Sequence, residues 1–228
     1  MLEFLQSRLD AGLAASTVRG YSTAISAFHT PLDGALVGQH PLVQRFLAGV
    51  DRIRPVVRRS SPPWDLSIVL DWLASPPFQN LTSLSLQLLS WKTAFLVAVT
   101  SGRRVGDIHA MSANPELTVF HKNRVSIRLP DSYQPKIAHT FHVTAPIELP
   151  AFTEPVSSGA AARRTHVLDV RRTLKVYLKR TEDIRKDDRL FICYGGGKVG
   201  QGASKQTISR WLVSVICRAY THKGMSPP

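Results

Sequence analysis

Cysteine is almost missing from these 228 residues: Cys193 and Cys217 are the only two, too few for a disulfide framework. Long apolar runs are missing as well. A membrane span needs roughly 18 consecutive apolar residues, and the longest candidate, 84–99, is interrupted by Gln87, Ser90, Lys92 and Thr93. A transmembrane protein is therefore not expected. The first residues include Glu3, Gln6, Arg8 and Asp10 and lack the basic-then-apolar layout of a secretory signal. The eight histidines and two cysteines show no metal-ligand spacing, and no internal repeat stands out. These absences point to a reduced, intracellular protein with nuclear or other intracellular localisation, no metal and no cofactor. Acidic residues are scarce too. Sixteen Asp and Glu face 29 Lys and Arg, a formal net charge of +13, while 43% of the chain is hydrophobic. That is enough apolar material for a core, so the charge belongs to a folded surface. A polyanion suits such a surface, because bound cations release counterions from a phosphate backbone.

The periodicity reads as mainly helical with some strand. Leu2, Leu5 and Leu9 suggest one helix. Ser16 is the expected cap of a second, whose buried stripe is read as Val18, Tyr21, Ile25 and Phe28. Pro41 opens a third through Ile53. Then Pro55, Pro62 and Pro63 alternate with Arg52, Arg54, Arg58 and Arg59, a basic linker over 55–63 that separates a small helical domain at 1–54 from the rest at 64–228. Beyond it Asp65 caps a short helix, a largely buried helix runs over 83–99 to a stop at Ser101-Gly102, and a helical turn covers 103–111. Strands follow at 117–120, 125–129 and 139–149 and would make a small three-stranded sheet. Asp169 opens a further helix to Arg180. Leu190–Cys193 is read as a strand entering a glycine-rich loop, and Ser204 caps a last helix. The fold class is α+β, mainly helical.

Several motifs are weak. Gly195, Gly197 and Gly200 fit a dinucleotide-binding pattern but lack the second βαβ strand, so a flexible loop is the preferred reading. His121 and Arg124 form His-x-x-Arg in a turn between strands, where solvent-facing residues are the default. The segment Thr100-Ser-Gly-Arg-Arg-Val-Gly-Asp-Ile-His-Ala-Met is more informative. Its arginine pair opens a helical turn and can grip a phosphate, and Asp107 follows Arg104 by three residues, so it can orient that guanidinium. A plain surface arginine pair at a turn fits the same residues.

Residues 12–29, Gly-Leu-Ala-Ala-Ser-Thr-Val-Arg-Gly-Tyr-Ser-Thr-Ala-Ile-Ser-Ala-Phe-His, resemble the SAM-like core-binding domain of the tyrosine recombinase (phage integrase) family. Ser101-Gly-Arg-Arg-Val-Gly-Asp-Ile resembles that family's first arginine box. Trp91-Lys-Thr-Ala-Phe-Leu, Gln134-Pro-Lys-Ile with Phe141-His, Cys193-Tyr-Gly-Gly and Ser204-Lys-Gln-Thr-Ile-Ser-Arg-Trp are similar to the branch encoded by DIRS-type retrotransposons. The resemblance covers roughly 13–220. It implies a core-binding domain, N-terminally short, and a recombinase catalytic-type domain, the two forming a C-shaped clamp on double-stranded DNA. It also implies metal-free phosphoryl transfer through a phosphotyrosyl intermediate. By the same resemblance Arg104 is the catalytic arginine, Asp107 its buttress and Lys136 the hairpin acid, although an exposed turn lysine fits Lys136 equally. Arg19, Arg54, Arg58, Arg59, Lys205 and Arg210 are the candidate DNA contacts.

The family's second box and its nucleophilic tyrosine both follow the helix that here runs from Ser204 to Tyr220, and the sequence stops at Pro228. Neither has room, and Tyr220, on the preceding helix, reads as a packing residue. The expectation is a recombinase-derived DNA-binding protein with an incomplete, vestigial catalytic domain, unable to recombine DNA alone. The competing reading is an active DNA recombinase or integrase whose end is supplied by a longer product. A third is a remnant that pairs with full-length recombinase protomers.

Overall fold

Leucines four apart give the first helix a single apolar edge, and the chain buries it. In the computed structural model, which describes residues 1–32, 34–55, 63–135, 145–152 and 159–228, the chain divides into two compact units, Met1–Ser61 and Pro62–Pro228. The smaller holds α1 (Leu2–Asp10), α2 (Ala15–Phe28) and α3 (Pro41–Ile53). Its core is Leu5 and Leu9 from α1, Ala15 and Val18 from α2, and Val43, Leu47 and Val50 from α3. Each leucine fully withdrawn from water contributes about 1.5–3 kcal/mol, so seven such positions suffice to dock three short helices. Pro41 occupies the first turn of α3, where no N–H is needed, and His40 Nδ1 accepts the Leu42 N–H at 3.3 Å.

Two expectations for α2 fail. Ser16 lies inside the helix, whose cap is Ala14 with no side-chain bond. The buried stripe is Ala15, Val18, Ser22 and Ser26, while Tyr21 is 40% and Phe28 93% exposed. Close approach explains the shift. The 3-10 turn Val37–Gln39 lies against α2, the Gly38 N–H donates to Ser26 Oγ at 2.8 Å, and a Cβ on Gly38 would come within 2.9 Å of that oxygen. Only small side chains fit between these backbones, so the larger aromatics turn outward. Tyr21 meets Phe4 edge-on at 5.6 Å instead.

The larger unit is built around α5 (Leu86–Ser101), in which every residue from Leu89 to Val97 is buried. A helix apolar on all sides must be surrounded. Packed against it are α6 (Val105–Ala110), α8 (Val170–Thr181), α9 (Lys205–His222) and strand β3 (Ile147–Pro150), with α4 (Leu66–Ala74) against α9. A short helix α7 (Ala160–Val167) lies beside α4, and Arg164 pairs with Asp71 at 2.7 Å. The sequence reading did not foresee α7. Two expected caps are formed, Asp65 accepting the Ser67 N–H and Ser204 the Thr207 N–H, and Asp169, where a helix was expected to begin, accepts the Arg172 N–H. Gly102, at φ +60°, ends α5 in the left-handed conformation that glycine favours.

Strands β1 (Thr118–Phe120), β2 (Arg124–Ile127) and β3 form an antiparallel sheet in the order β1-β2-β3. Val125 faces Leu149 and Ile127 faces Ile147, all four buried. On the other face Ser126 and Arg124 hold Glu148 at 2.9 and 3.0 Å. The architecture is thus mainly helical α+β with a small three-stranded antiparallel sheet. Among the described residues no helix is long and apolar enough to cross a membrane.

The strand expected at Leu190–Cys193 is not formed. Single bridges join Ser112 to Arg189 and Ile192 to Gly202. The backbone is satisfied piecemeal: Leu190 N–H donates to Met111 O, Cys193 N–H to Gln201 O and Ile192 N–H to Tyr177 Oη. Of the three pattern glycines only Gly200 has a packing cause, since nothing lies within 4 Å of a Cβ added at Gly195 or Gly197. A Cβ on Gly200, itself at φ +85°, would fall 1.9 Å from the Ile184 carbonyl oxygen.

Candidate functional site

Arg104 is the N-cap of α6, exposed, and has no hydrogen bond or ion pair among the described residues. The Ser101-Gly102 break fixes where α6 starts, because the Arg103 N–H is taken by Ser101 Oγ at 3.3 Å. Asp107 is buried one turn on. Its carboxylate does not take Arg104: Oδ1 accepts the Tyr133 hydroxyl at 2.8 Å. The expected orienting role is therefore corrected. Tyr133, which the sequence reading did not single out, is the direct partner. Burial first, and then the bond to Asp107, pushes the Tyr133 hydroxyl up to about 12, with the nearby Arg104 charge opposing. Gly106 makes room, since a Cβ there would lie 3.1 Å from Tyr133 Oη. No periodicity marks Tyr133, as it sits in the turn that closes with its own N–H on Pro130 O.

At the other end of α6 a cavity of about 310 Å³ opens between His109, Ser132, Tyr133, Asp187, Arg189 and Lys205. Arg189 Nη1 lies 2.7 Å from His109 Nδ1, also meets Nε2, and donates to the His109 carbonyl at 3.3 Å. A guanidinium only donates, so at most one of the two ring nitrogens can accept from it. Burial, then the charges of Arg189 and Lys205, lower the His109 pKa, and Asp187 opposes them less strongly. Asp187 itself accepts the N–H groups of Arg189 at 2.8 Å and Gly202 at 3.2 Å.

No protein-family model matches this chain, and no curated protein matches its sequence. The chemistry must be read from the residues themselves.

The other candidates fall into three groups. Lys205 and Arg210 are exposed on α9 with no hydrogen bond or ion pair among the described residues. Arg19 and Arg54 are engaged. Arg19 grips Asp51 with both Nε, at 3.2 Å, and Nη2, and so holds that carboxyl below its ordinary range. Arg54 Nη1 donates to the Leu13 carbonyl at 2.7 Å. Arg58, Arg59 and Lys136 lie outside the described residues, as does most of the 55–63 linker and the stretch 139–144 of the third expected strand. Among the described residues no cluster of three His, Cys, Asp or Glu could hold a metal ion.

The tyrosines are all accounted for. Tyr177 is fully buried, Tyr194 accepts Trp91 Nε1–H at 2.8 Å and stacks on Trp211, and Tyr21 packs on Phe4 in the smaller unit. Tyr220 is 7% exposed and its oxygen accepts the Asp65 N–H at 2.6 Å. Tyr133 is the one beside Arg104, and its raised pKa keeps it protonated.

Proposed function

We propose that this chain binds double-stranded DNA through its phosphate backbone, with a recombinase-like arginine surface on the larger unit that holds a phosphate without cleaving it. One observation carries the reading: Arg104, at the N-cap of α6, and Lys205 and Arg210 on the packed helix α9 are exposed with no acidic partner among the described residues, in a chain of net charge +13. Unpaired guanidinium and ammonium groups are what a phosphate backbone attracts, and little desolvation opposes them. Recombinase ancestry, with a core-binding domain at 1–54 and a catalytic-type domain at 64–228, remains a proposal that rests on the motif resemblance. A genomic duplex as partner implies nuclear or otherwise intracellular action.

Two measurements test this. Binding to unrelated duplexes should be similar in strength, and log affinity should fall steeply with log salt. Replacing Arg58 and Arg59 together with alanine should flatten that slope by about two, roughly one for each lost phosphate contact. Affinity indifferent to salt overturns the reading. With supercoiled plasmid and a suicide substrate, neither relaxation nor a denaturation-resistant adduct is expected, since a held phosphate without a nucleophile does not react. An adduct abolished by Tyr133→Phe or Tyr220→Phe would make the chain an active recombinase.

A further inference from the structure

We propose that the cavity between α6, the Asp187–Arg189 segment and the start of α9 seats a second phosphate group of the same DNA strand as the phosphate held at Arg104. The proposal rests on the DNA-binding reading for the identity of its ligand. The cavity itself is an independent observation.

Its donors suit an anion. Lys205 is unpaired, and Arg189 commits Nη1 to His109 while no hydrogen bond engages its Nη2 or Nε among the described residues. Ser132 adds a hydroxyl at the rim. Asp187 faces the same space, but two backbone N–H groups already occupy its carboxylate. At His109 the charges of Arg189 and Lys205 each outweigh that of Asp187, although the lining as a whole sets those two cations against Asp187 and Asp188. A volume of about 310 Å³ is at the small end of ligand sites, which span roughly 300–1,000 Å³. It suits one phosphate with its sugar. The two places are close: Arg104, the N-cap of α6, and His109 are five residues apart, about 7.5 Å along the helix axis. Tyr133 joins the two places, with its hydroxyl on Asp107 and its ring on the cavity wall. The exposed Asp188 at the rim works against an anion, which gives a variant of opposite sign.

His109 is a built-in reporter, since a phosphate seated beside it must raise its pKa. Its imidazole is followed by NMR in the full chain, assigned with His109→Gln, before and after saturation with a short duplex or with inorganic phosphate. Both should move the His109 pKa upward. Lys205→Gln should shrink the shift and weaken duplex binding about three- to tenfold at low salt, with a salt slope shallower by about one. Asp188→Asn should strengthen binding. If the duplex binds with its full salt slope and His109 does not move, the cavity is not a phosphate seat and DNA binding stands. If inorganic phosphate moves His109 and no duplex binds, the assignment to a DNA strand falls with the DNA-binding reading.

Discussion

The candidate DNA contacts fare differently in the two units. In the smaller one Arg19 and Arg54, both legible as candidate DNA contacts, are consumed internally. Arg19 clips α2 to Asp51 on α3, and Arg54 closes the end of α3 onto the Leu13 carbonyl. In the larger unit the side chains of Arg104, Lys205 and Arg210 have no partner among the described residues, while other cations of the same unit are structural. Arg171 donates to the His121 carbonyl, Arg180 to the carbonyls of Leu81 and Leu84, and Arg185 to those of Arg189 and Leu190. A net charge of +13 is therefore not thirteen charges offered to a polyanion. What a partner meets is set by which cations the fold has left unpaired.

The sharpest way to test that division is to remove a cation on the structural side. Arg185 donates to Arg189 O at 2.5 Å, Leu190 O at 3.2 Å and Thr181 Oγ1 at 2.9 Å, and lies 5.9 Å over the Tyr177 ring. Arg185→Met strands those acceptors and should cost about 2 kcal/mol. For a unit of this size that is a fall in melting temperature of roughly 4–8 °C. DNA affinity at temperatures where the fold is intact should not change.

Lys92 carries the division to its extreme, as a fully buried ammonium with no carboxylate. Its Nζ donates to Leu73 O at 2.9 Å and Phe78 O at 3.2 Å, and burial, assisted by the charge of Arg172, brings its pKa down to about 7. In the unfolded chain the group titrates near 10.4. Between those values the unfolded state binds more protons than the folded one, so this lysine makes stability rise with pH from about 7 to about 10. Below pH 7 both states are protonated and the destabilisation is constant. Denaturant titrations across this window should therefore show a slope that Lys92→Met removes. Parallel profiles for the two proteins would mean that the buried amine keeps its charge.

Smaller effects probe the DNA side. Arg104→Ala should weaken duplex binding about two- to fivefold and make the salt slope shallower by about one. Arg19→Ala should leave both unchanged, because its guanidinium is committed to Asp51. Equal losses in the two variants, measured by fluorescence anisotropy over a range of salt, would erase the distinction between the units.

Much of the fold was legible because its signals are local. The caps Asp65 and Ser204, the helix start at Asp169, the stop at Gly102, Pro41 at the start of α3 and the alternation through Val125 and Ile127 each act within a few residues. The candidate site was legible only in part. Arg104 and Lys205 could be named from the sequence. Tyr133 could not, since its partner Asp107 lies 26 residues away, and neither could the pairing of Arg189 with His109, 80 residues apart. The outward turn of Tyr21 and Phe28 was hidden for the same reason, because the 3-10 turn that occupies their expected place comes ten residues after the helix ends.

By itself the sequence determined the helical character, the sheet pairs' inward faces, the basic excess and the arginine pair behind a Ser-Gly break, because backbone propensity, capping and hydrophobic period are short-range properties. The tertiary structure alone decided which cations are free, that Asp107 answers to Tyr133, that 189–203 is bridged rather than paired as a strand, and that a cavity forms beside His109. Those outcomes depend on which distant groups satisfy each other's hydrogen bonds once the core has closed, and no local pattern encodes that choice.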